Sequence, residues 1–138
     1  EETSDQLLPG GWLRTGDVVE VDATGWVRLV DRVKEMIIVG GFKVYPSPVE
    51  DHLRTLAGVA DVAVVGLPAS GGDDRVVAVF VLELDAPEPT VEEVRAHAEQ
   101  YVARYALPRA VYVVEELPRS QIGKVMRRVV REQLIEGP

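Results

Sequence analysis

The sequence predicts an α+β fold, with a small three-stranded sheet backed by helices plus a β-hairpin, preceded by a β-hairpin remnant of a larger N-terminal domain. Three observations support this expectation. Apolar runs of strand length alternate with helical periodicity after residue 47, and glycine-containing turns separate short β-prone runs before it. Residues 1–31 also hold two tryptophans in a segment too short to bury them.

Composition restricts the class of protein. The longest continuous apolar run, residues 76–82, is far shorter than the ~20 residues that cross a bilayer, and the acidic start is unlike a secretory signal. The absence of cysteine excludes disulfides, a thiolate nucleophile and a cysteine metal site, and no metal site is predicted in this chain. A net charge of −8 disfavours nucleic acid as a partner. We therefore expect a cytoplasmic protein with no membrane span.

The first part of the chain predicts one hairpin. Residues 1–10 are expected to be a flexible, acidic lead, and the alternating runs 18–22 and 26–30 flank the turn Ala23-Thr24-Gly25. An isolated two-stranded hairpin is at best marginally stable in water. We therefore expect residues 1–33 to be the end of a large upstream domain, and residues 34–138 to be a second domain.

Residues 31–46, DRVKEMIIVGGFKVYP, form a charged joint followed by a second predicted hairpin. Gly40-Gly41 between two β-prone runs is a strong turn signal, because both residues can adopt positive φ without a Cβ clash. A Gly-Gly tip also allows a ligand to approach bare backbone. An ordinary surface hairpin is the competing interpretation.

A helix, two strands and a further helix are predicted next. Ser47 as N-cap, Pro48 and Glu50 predict a capping box at a helix that ends before Gly58. Strands follow at residues 59–66 and 76–84. The unbroken apolar run in the second strand predicts a central strand that is covered on both faces. Thr90 and Glu93 form a second predicted capping box. The helical stripe that follows the second box comprises Val91, Val94, Ala98, Tyr101 and Tyr105.

The C-terminal segment completes the predicted sheet and adds an amphipathic helix. A strand is expected at residues 109–115, a polar loop at 119–123 and a helix at 124–135. The apolar face of this helix comprises Met126, Val129, Val130 and Leu134, and its cations, Lys124, Arg127, Arg128 and Arg131, are expected to share the opposite face. With Arg119 they form a basic patch on an acidic protein.

Three segments resemble the adenylate-forming enzymes, the family of acyl-CoA synthetases, luciferases and peptide-synthetase adenylation domains. They are GWLRTGD (residues 11–17), DRVKEMIIVGGFKVYPSPVE (31–50) and LPRSQIGKVMRR (117–128). Their order and spacing agree with the family's mobile C-terminal domain, preceded by the last strands of its N-terminal domain. The wording of the second segment is most similar to a fatty acyl-CoA ligase.

The resemblance implies an ATP-dependent acid–thiol ligase. In the family, a carboxylate attacks the α-phosphorus of ATP to give an acyl-adenylate and pyrophosphate, the C-terminal domain rotates, and the CoA thiol then displaces AMP. ATP or AMP, CoA and Mg²⁺ are the implied cofactors, bound mainly by an upstream domain that would be this chain's principal partner. The isolated chain is therefore expected to be inactive.

Site residues follow from the same resemblance. Lys124 matches the catalytic lysine of adenylation. The chemistry needs a cation there, since an ammonium would stabilise the negative charge that develops on the phosphate. Asp17 and Arg32 match nucleotide-binding positions, and Lys34 matches the hinge. Gly40, Gly41, Phe42 and Lys43 match the face that serves thioester formation.

Residue by residue, simpler interpretations compete with these roles. Asp17 could cap a turn, Arg32 could pair with a neighbouring acid, and Lys34 and Lys124 could be solvated surface lysines. Glu50, where the family also has an acid, is explained by its predicted capping box.

Two departures from the family pattern are visible, and two rival functions stay open. The family commonly has Tyr-Lys before the proline of the third strand, whereas residues 105–108 of this chain read Tyr-Ala-Leu-Pro. Asp74 stands where glutamate is frequent in the family. One rival is an enzyme that passes the acyl group from the adenylate to a carrier protein instead of CoA. The other is a stand-alone phosphate-binding module that uses the basic patch.

Overall fold

The computed structural model describes residues 5–137, in which three two-stranded hairpins precede a three-stranded sheet with helices on both faces. The hairpin strands are β1 (Leu7–Leu8), β2 (Trp12–Leu13), β3 (Asp17–Val21), β4 (Val27–Arg32), β5 (Ile37–Val39) and β6 (Phe42–Val44). The sheet strands are β7 (Val59–Pro68), β8 (Asp74–Leu82) and β9 (Ala110–Val113). The helices are α1 (Pro46–Leu53), α2 (Val91–Ala98) and α3 (Arg127–Glu136), with 3₁₀ turns at Val33–Glu35 and Arg104–Ala106.

The sheet has β8 in the centre, as predicted from its apolar run. Strand β7 pairs with it antiparallel, and β9 pairs with it parallel after the crossover through α2. Successive β8 residues face opposite sides: Phe80 packs with α1 and α2, whereas Val79 packs with α3. The α+β class and the three-stranded sheet backed by helices are confirmed.

The hairpin at Gly40-Gly41 is confirmed, and so is the one at residues 23–25. The flexible lead was wrong for the part that the structure describes, because β1 pairs with β2 between residues 7 and 13. Residues 1–4 lie outside the described part. Within residues 5–32, Asp31 is the sole buried residue, so β1 to β4 have no apolar core of their own.

The helix boundaries shift in two places. Helix α1 begins at Pro46 with Tyr45 as N-cap and has no side-chain cap, so the predicted capping box of Ser47 and Glu50 was wrong. The box of Thr90 and Glu93 is confirmed, but α2 ends at Ala98, which leaves the tyrosines of its predicted stripe outside the helix.

The C-terminal elements are shorter than predicted. Strand β9 covers four residues, and α3 begins at Arg127 instead of Lys124. Met126 N donates to the Pro118 carbonyl, which ties the start of this helix to the preceding loop. Lys124 therefore lies on a turn and not on the helix. Within residues 5–137, no helix is long and apolar enough to cross a membrane.

Candidate active-site face

Lys124 lies at the end of a tight turn that its own backbone closes. Ser120 N donates to the Lys124 carbonyl at 2.8 Å, and Lys124 N donates to Ser120 Oγ at 3.2 Å. Gly123 adopts φ of 83°, a conformation that glycine takes without a Cβ clash. The side chain of Lys124 is exposed and forms no ion pair with any described residue. The turn thus presents an uncompensated ammonium.

Arg127, three residues further on, is the centre of a buried ionic cluster. Its Nε and Nη2 donate to the two carboxylate oxygens of Glu50, each at 2.7 Å, and Nη2 also donates to Ser47 Oγ at 2.9 Å. Its Nη1 pairs with Glu35 and lies 3.6 Å from Asp31 Oδ1. The Arg127 side chain is only 16% exposed, so the expectation that it lies on a solvent face with Arg128 was wrong.

The carboxylates of this cluster also bind backbone. Glu50 accepts from Val64 N of β7, and Asp31 accepts from Ser47 N in the first turn of α1, each at 2.8 Å. Burial tends to lower the pKa of Arg127, but hydrogen bonding to Glu50 and the nearby carboxylates more than offset it, so the pKa is raised. The cluster therefore joins β4, the segment 33–35, α1, β7 and α3 in one network.

A cleft of about 600 Å³ brings three of the predicted site residues together. Arg32, Lys34 and Lys124 all line it, beside the Arg127 cluster. Its lining includes six cations, Arg32, Lys34, Arg54, Arg119, Lys124 and Arg127, and three acids, Asp31, Glu35 and Glu50. The cleft is thus electropositive on a chain whose net charge is −8, and it suits an anionic ligand.

Asp17 reaches this region through Arg32. Its Oδ1 lies 3.4 Å from Arg32 Nε, and both side chains are partly exposed. The predicted alternative, in which Arg32 pairs with Asp31 or Glu35, was wrong because those acids bind Arg127. Lys34 is exposed on the 3₁₀ turn between β4 and β5.

Gly40 to Lys43 lie apart from this cleft. Gly40 and Gly41 have φ of 55° and 80°, and open space surrounds the position of a Cβ at each. Gly40 N donates to Asp73 Oδ2 at 3.2 Å, and the Phe42 ring stacks on Tyr105 with centroids 4.5 Å apart. The hairpin tip is therefore held from two sides while its backbone stays accessible.

Comparison with known proteins identifies the family. Residues 48–124, more than half of the chain, match the model of the AMP-binding enzyme C-terminal domain. The chain belongs to this family.

Three relatives illustrate the match to this AMP-binding family. A long-chain-fatty-acid–CoA ligase of Escherichia coli O6:H1 is 39% identical over 132 residues, which are 96% of this chain and 23% of the relative. A CoA ligase of Rhodococcus jostii is 40% identical over 136 residues, which are 96% of this chain and 26% of the relative. The acyl group in its name is a propanoyl group that carries a methyl-dioxo-octahydroindenyl ring system. The chain thus spans about a quarter of the length of these relatives.

The third relative, MatB of Rhodopseudomonas palustris, has been solved with and without ATP. The ATP-bound structure matches with a TM-score of 0.86 at 32% identity, and the apo structure with 0.73 at 33%. Each match covers 96% of this chain and 26% of MatB.

The ionic cluster is what sequence reasoning missed at this AMP-binding domain face. The acids Asp31, Glu35 and Glu50 lie early in the chain, whereas the compensating cation, Arg127, follows 92 residues after Glu35 and 77 residues after Glu50. One signal was available: Glu50 lies one residue after Val49 of the apolar stripe, so its side chain starts beside the core. Within residues 5–137, no group of three or more ligand-type side chains could hold a metal ion.

Proposed function

We propose that this chain is the C-terminal part of an ATP-dependent acyl-CoA ligase that activates a carboxylic acid, most specifically a fatty acid. In the first step a carboxylate oxygen attacks the α-phosphorus of ATP and pyrophosphate leaves. In the second, the thiol of CoA attacks the acyl carbon, loses its proton and displaces AMP. The two ligases from E. coli and Rhodococcus support CoA as acceptor, and the first supports a fatty acid.

The position of Lys124 in the lining of the electropositive cleft is the observation that carries this proposal. Adenylation builds negative charge on phosphorus-bound oxygens. A preorganised ammonium that is not held in an ion pair stabilises that charge without first having to leave a carboxylate. Lys124 is suited to this role because its ammonium is exposed and makes no ion pair with a described residue, whereas Arg119, Arg127 and Arg131 each pair with a carboxylate. Arg32, paired with Asp17, lines the same cleft and would contact the nucleotide.

Thioester formation would use the other face, at Gly40 to Lys43. The glycine tip leaves room for a narrow ligand arm along its backbone, and Lys43 is exposed beside it. Because the two faces do not share a cleft, one small domain would have to turn about Lys34 to present each in succession.

The remaining parts of the reaction are assigned to an upstream domain. We propose that residues 1–33 are the last strands of that domain, that it supplies the acid pocket and the site for Mg²⁺ with ATP, and that residues 34–138 move against it. The exposed apolar side chains of this region, such as Trp12 on β2 and Trp26 in the β3–β4 turn, support a covering partner. We place the enzyme in the cytoplasm and expect residues 1–138 to be inactive when alone.

The carrier-loading alternative and the binding-module alternative make different demands. A carrier-loading enzyme would form the adenylate but would not convert it to a thioester when CoA is supplied. A phosphate-binding module would need free cations on its last helix, but Arg128 pairs with Glu132, and Arg131 pairs with Asp74 and donates to the Gly66 carbonyl. The pairing of these side chains favours the ligase over the module.

Lys124→Ala in the full-length protein tests the assignment. We expect a loss of roughly 10²-fold in adenylation, measured as ATP–pyrophosphate exchange with a panel of fatty, aryl and amino acids. Formation of acyl-CoA from supplied acyl-adenylate should change by less than about threefold, because the second step would use the other face.

Arg128→Ala is the matched control, since Arg128 is an exposed cation of the same segment that pairs only with Glu132 among the described residues. It should leave both steps unchanged. Equal losses of both steps in Lys124→Ala would contradict the assignment, and an acyl-adenylate that is not converted to a thioester when CoA is supplied would favour the carrier-loading alternative.

A further inference from the structure

Lys124 needs a fixed backbone if it is to act as proposed above. A lysine side chain is a flexible stem, so its ammonium is placed only as well as the turn that carries it. Residues 121–123 are exposed and Ser120 is partly exposed, and the two hydrogen bonds between Ser120 and Lys124 close the turn without connecting it to the rest of the domain. Leu117 before the turn and Val125 after it pack in the core with Val130 of α3. What remains is a contact that fixes the exposed middle of the turn relative to the sheet.

Arg119 makes that contact. Its Nη1 donates to the carbonyl of Gly123, the residue before Lys124, at 2.7 Å. Its Nη2 pairs with Oδ2 of Asp61, near the start of β7. Arg119 therefore spans from the turn to the sheet with one planar, rigid group.

Asp61 is well placed as the anchor. Its side chain is only 18% exposed, and its Oδ1 accepts from the backbone N of Val62, which fixes the carboxylate on the strand. Arg54, after α1, approaches Oδ1 at 3.9 Å. Contacts with β7 and with Arg54 thus orient the carboxylate independently of Arg119.

We propose that Arg119 and Asp61 are positioning residues for Lys124 in adenylation. They hold the turn so that the ammonium points into the cleft, and they do not themselves touch the reacting atoms. This rests on the proposed role of Lys124. Misplacement of a catalytic group by about 1 Å can reduce a rate by 10²-fold, and an exposed turn that keeps its internal hydrogen bonds should lose less. We expect about a tenfold effect.

The test uses the full-length protein with Arg119→Met and, separately, Asp61→Asn. Each should lower the rate constant of ATP–pyrophosphate exchange about tenfold, with KM for ATP changed by less than about twofold and the thioester step unchanged. Arg128→Met is the matched control and should leave all three quantities unchanged, because Arg128 is 79% exposed and lies on α3. A thermal unfolding curve for each variant verifies that the domain is folded.

A double-mutant cycle separates positioning from direct contact with the nucleotide. If Arg119 acts through Lys124, then Arg119→Met should have no further effect in the Lys124→Ala background. A full additional loss there, or a rise in KM for ATP, would overturn the proposal and indicate that Arg119 binds phosphate itself. Normal exchange in both single variants would also overturn it.

Failure of the proposed function would look different. In that case Lys124→Ala alone would leave ATP–pyrophosphate exchange unchanged, whatever Arg119 did. Should Arg119→Met fail to fold, Asp61→Asn remains a test, because it removes the anchor charge and keeps an oxygen for Val62 N. An unchanged rate of ATP–pyrophosphate exchange in a folded Asp61→Asn variant would contradict the positioning role of the Arg119–Asp61 pair.

Discussion

The strands β1 to β4 and the domain built on β7 to β9 differ in where their apolar side chains lie. In the first region Trp12 and Trp26 are 72% and 77% exposed, whereas in the second Phe80 and Leu53 are fully buried. Both regions are made of regular, hydrogen-bonded strands. Backbone pairing therefore forms in both regions, but only the second gains stability from burial.

The difference follows from layers. A sheet is stable when its apolar face packs against another element, and here helices cover both faces of β8. The β3–β4 hairpin has no such layer, and its contact with the domain is polar: Asp31 binds Ser47 N and approaches Arg127. The first region therefore leaves apolar surface uncovered, which agrees with the upstream domain that we propose.

Paired truncations of one aromatic residue in each region should show the largest contrast. Phe80→Ala should destabilise the chain by about 4 kcal/mol, because it removes a fully buried ring and leaves a cavity. Trp26→Ser should change the free energy of unfolding by less than about 0.5 kcal/mol, since its ring already faces solvent. Urea unfolding followed by circular dichroism measures both. A large loss in Trp26→Ser would mean that the hairpins pack on something within the chain.

The contact between the regions supplies the next largest effect. Arg127→Met should cost about 3 kcal/mol or more, because the carboxylates of Glu50 and Asp31 would remain buried without their cation. Arg128→Met, at the neighbouring exposed position, is the control and should cost less than about 0.5 kcal/mol.

A second variant distinguishes lost charge compensation from lost packing. Arg127→Met combined with Glu50→Gln should be less destabilised than Arg127→Met alone, since the double variant leaves one buried charge fewer. Urea unfolding again measures the difference. If the double variant is as unstable as the sum of its single variants, the cluster contributes through packing of the arginine stem rather than through compensation of charge.

Local sequence signals predicted the parts of the fold that local chemistry determines. The apolar run of β8, the turn at Gly40-Gly41 and the capping box of Thr90 each depend on neighbouring residues, and each is confirmed. The capping box at Glu50 failed because a distant cation and the Val64 backbone compete for the same carboxylate. A pattern within four residues cannot include a partner that lies 77 residues away.

The candidate site divides in the same way. Lys124, Arg32 and Lys34 were named from motif resemblance, and the structure brings them to one cleft. Arg119 was named only as part of the basic patch, and Asp61 was not named, because an ion pair between a loop and a strand 58 residues earlier leaves no periodic signal in the sequence. Their ionic pairing is a product of tertiary packing alone.

Acid dependence gives the smallest and most local test of the two regions. Each region has one exposed carboxylate whose pKa is lowered by local hydrogen bonds: Asp22 binds Thr24 in the β3–β4 turn, and Glu93 binds Thr90 at the start of α2. A carboxylate with a lowered pKa in the folded state stabilises that state above its unfolded pKa, ordinarily 4.5 for Glu93, and the stabilisation is lost as the pH falls through the folded pKa.

Asn and Gln keep the hydrogen-bond acceptor and remove this titration. Glu93→Gln should therefore be less stable than the wild type at pH 7, and the difference should shrink as the pH falls below 4.5. Asp22→Asn should leave the unfolding curve of the domain unchanged from pH 7 to pH 3, because its hairpin adds no apolar core to the domain's cooperative unit. Equal effects of the two variants, measured by urea unfolding across this range, would instead place β3 and β4 inside that unit.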